Sequence, residues 1–184
     1  MKKIAALGAL ALLMGSVFQA NAASTGTITF NGSITDATCD VSVDGTGADA
    51  TVQLPVVAAS ELASAGQTTG RTNFTLGLSN CNLGEGDSAS VAAFFQPGTT
   101  VDSATGRLIQ TDAAGAENVS LQLRDGTNDS VIFAGDSSQM TTAAFKNVEA
   151  GKDIKLPYSA EYYAEGKATA GAVASSVVYN LQYK

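Results

Sequence analysis

The sequence has no histidine and no tryptophan, only two cysteines and three prolines, and ten basic side chains against seventeen acidic ones. Each shortage excludes something. Without histidine there is no Ser-His-Asp or Cys-His nucleophile, and no histidine-bearing metal site such as that of a copper–zinc dismutase-like sandwich. The acidic balance repels nucleic acid and anionic lipid, and no basic patch with interleaved aromatics offsets it. Cys39 and Cys81 stand too far apart for a CxxC redox pair. Asp44, Asp49 and Asp87 have glycine neighbours but no EF-hand spacing. Asp136 and Glu149 read as solvated loop charges. The expectation is a protein that is not an enzyme, with no metal, no cofactor and no nucleic-acid partner.

What is present begins with an export signal. Lys2 and Lys3 are followed by an apolar run from Ile4 to Val17, and Ala20-Asn21-Ala22 supplies small residues around a cleavage point before Ala23. The run is shorter than the ~20 apolar residues of a membrane span, and no later segment reaches that length. Residues 1–22 are therefore expected to be removed. Taking 22 residues from 184 leaves 162, with 8 basic side chains against 17 acidic ones and a net charge of −9. That length suits one domain. In an exported chain an even cysteine count reads as a disulfide, Cys39 to Cys81, against the alternative of two free buried thiols.

The mature sequence reads as all-β. Apolar residues alternate with polar ones in short runs separated by Gly, Asp, Asn and Ser. Ile28, Phe30 and Ile34 share one parity, with Gly32 between the last two. Cys39, Val41 and Val43 share another. Then come Phe74, Leu76 and Leu78; Val119, Leu121 and Leu123; Leu156, Tyr158, Ala160 and Tyr162; and finally Val177, Tyr179, Leu181 and Tyr183. Val91 to Phe95 forms another strand whose inward parity the pattern does not fix. Strands with one apolar face, repeated through a chain of this length, predict a sandwich of two sheets. A short helical turn is expected within Pro55–Ala65, and surface turns at Asp44–Ala50 and Leu83–Ser88. The front strand has two readings. It is either the first strand of the sandwich or a strand made for another molecule, and glycine inside it marks close approach of a second backbone or side chain.

The residues Thr27-Ile-Thr-Phe-Asn-Gly-Ser-Ile34, with Cys39 seven positions after Gly32 and Cys81 about forty further on, resemble the N-terminal extension and first strand of chaperone–usher fimbrial subunits, the type 1 rod pilin in particular. The C-terminal end is similar too, with Gly171 fourteenth from the end, a penultimate Tyr183, and alternating Val177, Tyr179 and Leu181 between them. Leu156-Pro-Tyr-Ser-Ala-Glu-Tyr-Tyr-Ala164 resembles the strand that precedes it in that family. One departure is an extension shorter than that of the type 1 rod protein, which leaves the subfamily open.

The resemblance implies an incomplete immunoglobulin-like sandwich completed by donor-strand exchange with a neighbouring subunit. Residues 23–35 would be the donor strand, carrying Ile28, Phe30, Gly32 and Ile34, and residues 36–184 the pilin domain. Gly171, Val177, Tyr179, Leu181 and Tyr183 would form the strand that lines the groove. The implied partners are other copies of the chain, a periplasmic chaperone, an outer-membrane usher, and minor and tip pilins. The implied place is the bacterial surface, reached through the periplasm, and the implied role is that of the major structural subunit of an adhesive fibre. The alternatives are a minor adaptor pilin or, from a different class, a monomeric secreted β-sandwich that binds a ligand.

Overall fold

The computed structural model describes residues 26–32, 34, 38–82, 89–149 and 151–184. The export signal, its cleavage point and the expected turn at Leu83–Ser88 lie outside them. Among the described residues nine strands follow one another: β1 (Thr38–Val43), β2 (Thr68–Asn82), β3 (Ala89–Phe95), β4 (Leu108–Ile109), β5 (Val119–Asp125), β6 (Val131–Ile132), β7 (Lys146–Val148), β8 (Ile154–Ala164) and β9 (Tyr179–Tyr183). A one-turn helix, α1 (Gln139–Thr142), lies between β6 and β7. Only the four residues Ala59–Leu62 of the expected helical stretch form a 3-10 turn.

The strands form two antiparallel sheets. One has the order β1-β2-β8-β5-β4, with β6 also on β5; the other has the order β7-β3-β9. The register follows from the period-2 pattern. Phe74 faces Tyr158 and Leu76 faces Leu156 across β2 and β8, while Leu121 faces Tyr162 across β5 and β8. These side chains share the inner face with Val91, Ala93 and Phe95 of β3 and form the core. The Tyr158 ring meets Phe95 edge-on at 5.2 Å between centroids and Phe74 at 5.8 Å. β3 has no single buried parity because Ala92, on its other face, is buried as well.

Pro157 lies inside β8, a central strand, where a missing N–H would normally leave a gap in the ladder. Its partner strand β5 ends at Asp125, opposite Tyr158, so the proline faces the turn beyond the ladder. There Gly126 N–H donates to the Pro157 carbonyl at 2.9 Å. At the far end of the β2–β8 pair the register shifts between Thr69 and Thr72. Gly70 sits in that bulge with φ +67°, and a Cβ there would lie 2.7 Å from the Tyr162 ring.

The outer face of the larger sheet holds a buried carboxylate. Glu161 is buried and accepts bonds from Arg71 Nε (2.9 Å), Arg124 Nε (2.7 Å) and Gln122 Nε2 (2.8 Å). Arg71 also pairs with Asp129 at 2.7 Å. Burial alone would raise the Glu161 carboxyl, but the bonds from Arg124, Arg71 and Gln122 outweigh it and hold the group below the usual carboxylate range.

The edge of the smaller sheet away from β9 is closed in two ways. β7 covers β3 only from Ala89 to Val91. Beyond it, Ala93 N–H donates to the Tyr158 hydroxyl. Phe95 is clasped by the Gln139 side-chain amide, which accepts its N–H at 3.0 Å and donates to its carbonyl at 3.1 Å. A side chain here does what a neighbouring strand would otherwise do.

Candidate functional site

The larger sheet ends at β1 on one side and at β4 and β6 on the other, and β9 is the second edge of the smaller sheet; β1 and β9 are the two that matter here. Between them runs a seam. One wall is the C-terminal segment. β9 pairs with β3 along one edge, Tyr179 opposite Phe95 through Tyr183 opposite Val91. Ahead of it the carbonyls of Ala172, Ala174 and Val178 accept main-chain bonds from Ala116, Thr111 and Gln96, and that of Ser176 accepts from the Thr100 hydroxyl. Among the described residues, the intervening Val173, Ser175 and Val177 have no main-chain partner.

The other wall is β1 and the stretch that follows it. β1 is bonded to β2 along one edge, from Thr38 opposite Asn82 to Val43 opposite Leu76. The Cys39–Cys81 disulfide fastens the start of that pair. Among the described residues, 48–57 make no main-chain to main-chain hydrogen bond. None of these ten residues is buried, so solvent can pair their main chain, and the same groups are open to an incoming strand.

The floor of the seam is apolar. Val41, Val52 and Leu54 from one wall, and Val173, Val177, Tyr179, Leu181 and Tyr183 from the other, are only half-buried although they touch the core. Two clefts open along it. One of about 420 Å³ reaches down to Phe74, Leu121 and Phe95 and is bordered by Val52, Val177 and Tyr179. The other, about 410 Å³, lies between Leu54–Val57 and Ala168–Val173. Side chains rather than strands link the walls. The Tyr179 hydroxyl donates to the Ala48 carbonyl at 2.8 Å and that of Tyr162 to the Pro55 carbonyl at 3.1 Å. Burial raises the Tyr179, Tyr162 and Tyr183 phenols, the nearby Asp49 adding to the first and the Cys39 backbone opposing in the last.

The residues expected to line a groove are thus placed along one wall, though only Tyr179, Leu181 and Tyr183 belong to a strand. Val177 precedes it as extended chain. Gly171 packs flat against the 115–116 peptide, where a Cβ would lie 2.4 Å from the Ala116 nitrogen. Residues 26–32 belong to no strand, the Ile28 and Phe30 side chains are exposed, and nothing lies within 4 Å of where a Gly32 Cβ would sit. Ile34 is 99% exposed. The opposite wall was not among the expected site residues. Its signal was available in Val52, Leu54 and Val56, which alternate with Gln53 and Pro55. Asp136 and Glu149 go separate ways, to the Ser138 N–H and to Lys152.

A sandwich with an unfilled apolar seam between two edge strands is the architecture of a subunit that is finished by something else. Residues 54–184 match the family described as FimA, Type-1 fimbrial protein, A. The chain is 44% identical over 176 residues to the major fimbrial subunit SMF-1 of Stenotrophomonas maltophilia (strain K279a), covering 94% of this chain and 99% of that one. It is 37% identical over 179 residues to the F17 fimbrial protein of Escherichia coli, covering 95% and 96%. It is 33% identical over 183 residues to the minor fimbrial subunit HifD of Haemophilus influenzae, covering 95% and 81%. A solved chaperone–usher pilus shares the fold, with a TM-score of 0.57 at 22% identity over 88% of this chain and 97% of that one. The chain belongs to the type 1 fimbrial protein family. It is a structural subunit of surface fimbriae, and not an enzyme.

Proposed function

We propose that the chain is the major rod subunit of its fimbria and polymerises by donor-strand exchange. The carrying observation is the seam: an apolar floor between two strand edges, with the main chain of 48–57 and of alternate residues after Gly171 left without ladder partners. A single inserted strand satisfies both walls at once, which is β-strand addition used as a joint. The segment around Ile28, Phe30, Gly32 and Ile34 suits the role, since it alternates and presents apolar side chains to solvent. Burying each large one is worth about 1.5–3 kcal/mol.

Before assembly the same seam is a liability, being both an exposed apolar surface and an unpaired edge. A periplasmic chaperone would fill it first, and an outer-membrane usher would oversee replacement of the chaperone strand by that of the next copy. Minor and tip pilins would join through the same geometry. Similarity to a major subunit along nearly the full length supports the rod assignment. Similarity to a minor subunit supports the rival reading, an adaptor in the same fibre.

Quantitative mass spectrometry of fibres sheared from expressing cells separates the two. A rod subunit is the bulk of the preparation; a trace amount would make the chain an adaptor. Deleting Ala23–Asp36 tests the joint itself. The shortened chain should still bind its chaperone but fail to extend a fibre, whereas a closed monomeric sandwich that used this strand internally would lose its fold.

A further inference from the structure

Asn31-Gly32 is the one Asn-Gly peptide in the chain, and it falls in the middle of the segment assigned above as the donor strand. Asn-Gly is the peptide most prone to spontaneous deamidation. Glycine has no side chain to shield its nitrogen, and its backbone reaches the conformation in which that nitrogen meets the asparagine side chain. Both residues are exposed and outside any strand, and the space around Gly32 is open.

Several other asparagines and both Asp-Gly peptides are held in place. Asn73, Asn80, Asn147 and Asn180 lie within β2, β7 or β9 and precede bulkier residues. At Asp125-Gly126 the carboxylate accepts the N–H groups of Thr127 and Ala144, and Gly126 N–H is given to Pro157. At Asp44-Gly45 the carboxylate accepts the Thr75 N–H.

We infer that Asn31-Gly32 is a self-modification site that retires unassembled subunits, an inference that rests on the donor-strand reading. The Gly32 amide nitrogen gives its proton to water and attacks the Asn31 side-chain carbonyl carbon. The new C–N bond closes a five-membered succinimide, and the side-chain nitrogen leaves as ammonia. Water then opens the ring. Cleavage at the side-chain carbonyl leaves aspartate, and cleavage at the main-chain carbonyl leaves isoaspartate. The sum is amide plus water giving acid plus ammonia, with no oxidant or other reagent.

Either product spoils the strand. Both put a carboxylate beside Phe30 in a segment meant for an apolar seam. Isoaspartate also routes the main chain through an extra carbon, so Ile34 falls out of phase with Ile28 and Phe30, and a strand out of phase turns its apolar side chains to the wrong face. Once inserted, the segment is held extended with its N–H groups in a ladder, and the attack geometry is denied. The reaction therefore discriminates against subunits that have waited, and spares those already built into a fibre.

The test compares the mature subunit kept unassembled with sheared fibres, both held in mildly alkaline buffer at body temperature. Peptide mapping by mass spectrometry and isoaspartyl methyltransferase labelling report on residue 31. The expected result is conversion at Asn31 in the unassembled subunit and retention of the amide in fibres. Aged subunits should lose fibre-joining activity in proportion to their isoaspartate content, while an aged Asn31→Gln variant joins as well as the same variant does when fresh. An unchanged Asn31 in the unassembled subunit, or converted subunits that join as well as fresh ones, overturns the inference and leaves the donor strand standing. Conversion in fibres as fast as in free subunits, or fresh subunits lacking residues 23–36 that still join, sinks the donor reading itself.

Discussion

The Tyr158 hydroxyl accepts the main-chain N–H of Ala93 at 2.9 Å, so that one side chain of the larger sheet completes the hydrogen bonding of the smaller one. Burial pushes this phenol up to about 12, with the Ala93 bond opposing. Tyr158→Phe keeps the ring stacking on Phe74 and Phe95 but strands a buried N–H, at a cost of about 1–3 kcal/mol. A lowered Tm of the chaperone-free or self-assembled protein is the readout. The wild type should also lose stability as pH rises from 10 toward 12, because there the unfolded chain has released a proton that the folded one keeps. Tyr158→Phe should show a shallower dependence, the remainder coming from the raised phenols of Tyr162, Tyr179 and Tyr183.

Glu161 is the common partner of two arginines on the outer face of the larger sheet. Glu161→Ala leaves Arg71 and Arg124 only the exposed Asp129 to share, and because both guanidiniums keep some contact with solvent the loss in denaturant unfolding should fall short of the about 3–5 kcal/mol of a fully buried pair. The pH effect has the opposite sign to that of Tyr158. The folded carboxyl lies below the unfolded one, so its contribution is complete above the ordinary carboxylate range and is lost as pH falls through the folded value. Acid titration of unfolding should be shallower in Glu161→Gln than in wild type.

Gly171→Ala places a methyl group against the peptide between Gly115 and Ala116. The C-terminal wall must move away from that peptide, at about 1–3 kcal/mol of overpacking. The expected phenotype is a lower yield of chaperone-bound subunit and of fibres together, measured by co-purification and electron microscopy.

Gly32→Val acts on the other half of the joint. Gly32 lies outside the unit formed by Ile34–Lys184, so the chaperone-bound subunit should fold and melt as wild type. A β-branched side chain on the donor strand then blocks close approach to the seam, and fibres should be lost. Normal fibre yield would contradict the assigned role of Gly32.

Much of this was legible in the chain. Wherever a strand has one apolar and one polar face, period 2 named the inward residues, as in Phe74-Leu76-Leu78 and Leu156-Tyr158-Ala160. The pattern was mute where alanine fits either face, as at Ala92. It was also mute on the Glu161 network, because Arg71, Gln122 and Arg124 come together only through the registers of β2, β8 and β5. The seam was half legible. Its C-terminal wall carried an alternating pattern up to the last residues, but the wall at 48–57 has Pro55 inside it and, among the described residues, no main-chain partner.

The amide of Gln139 has a consequence for the shape of what is built. By occupying both main-chain groups of Phe95, it denies that margin of the smaller sheet to any visitor, and leaves β9 as the side where a newcomer can dock. Under the proposed assembly each bead has a single socket and a single plug. Such beads string end to end without branching, and a glutamine on the opposite edge of β3 from the socket helps decide that the product is a thread and not a net.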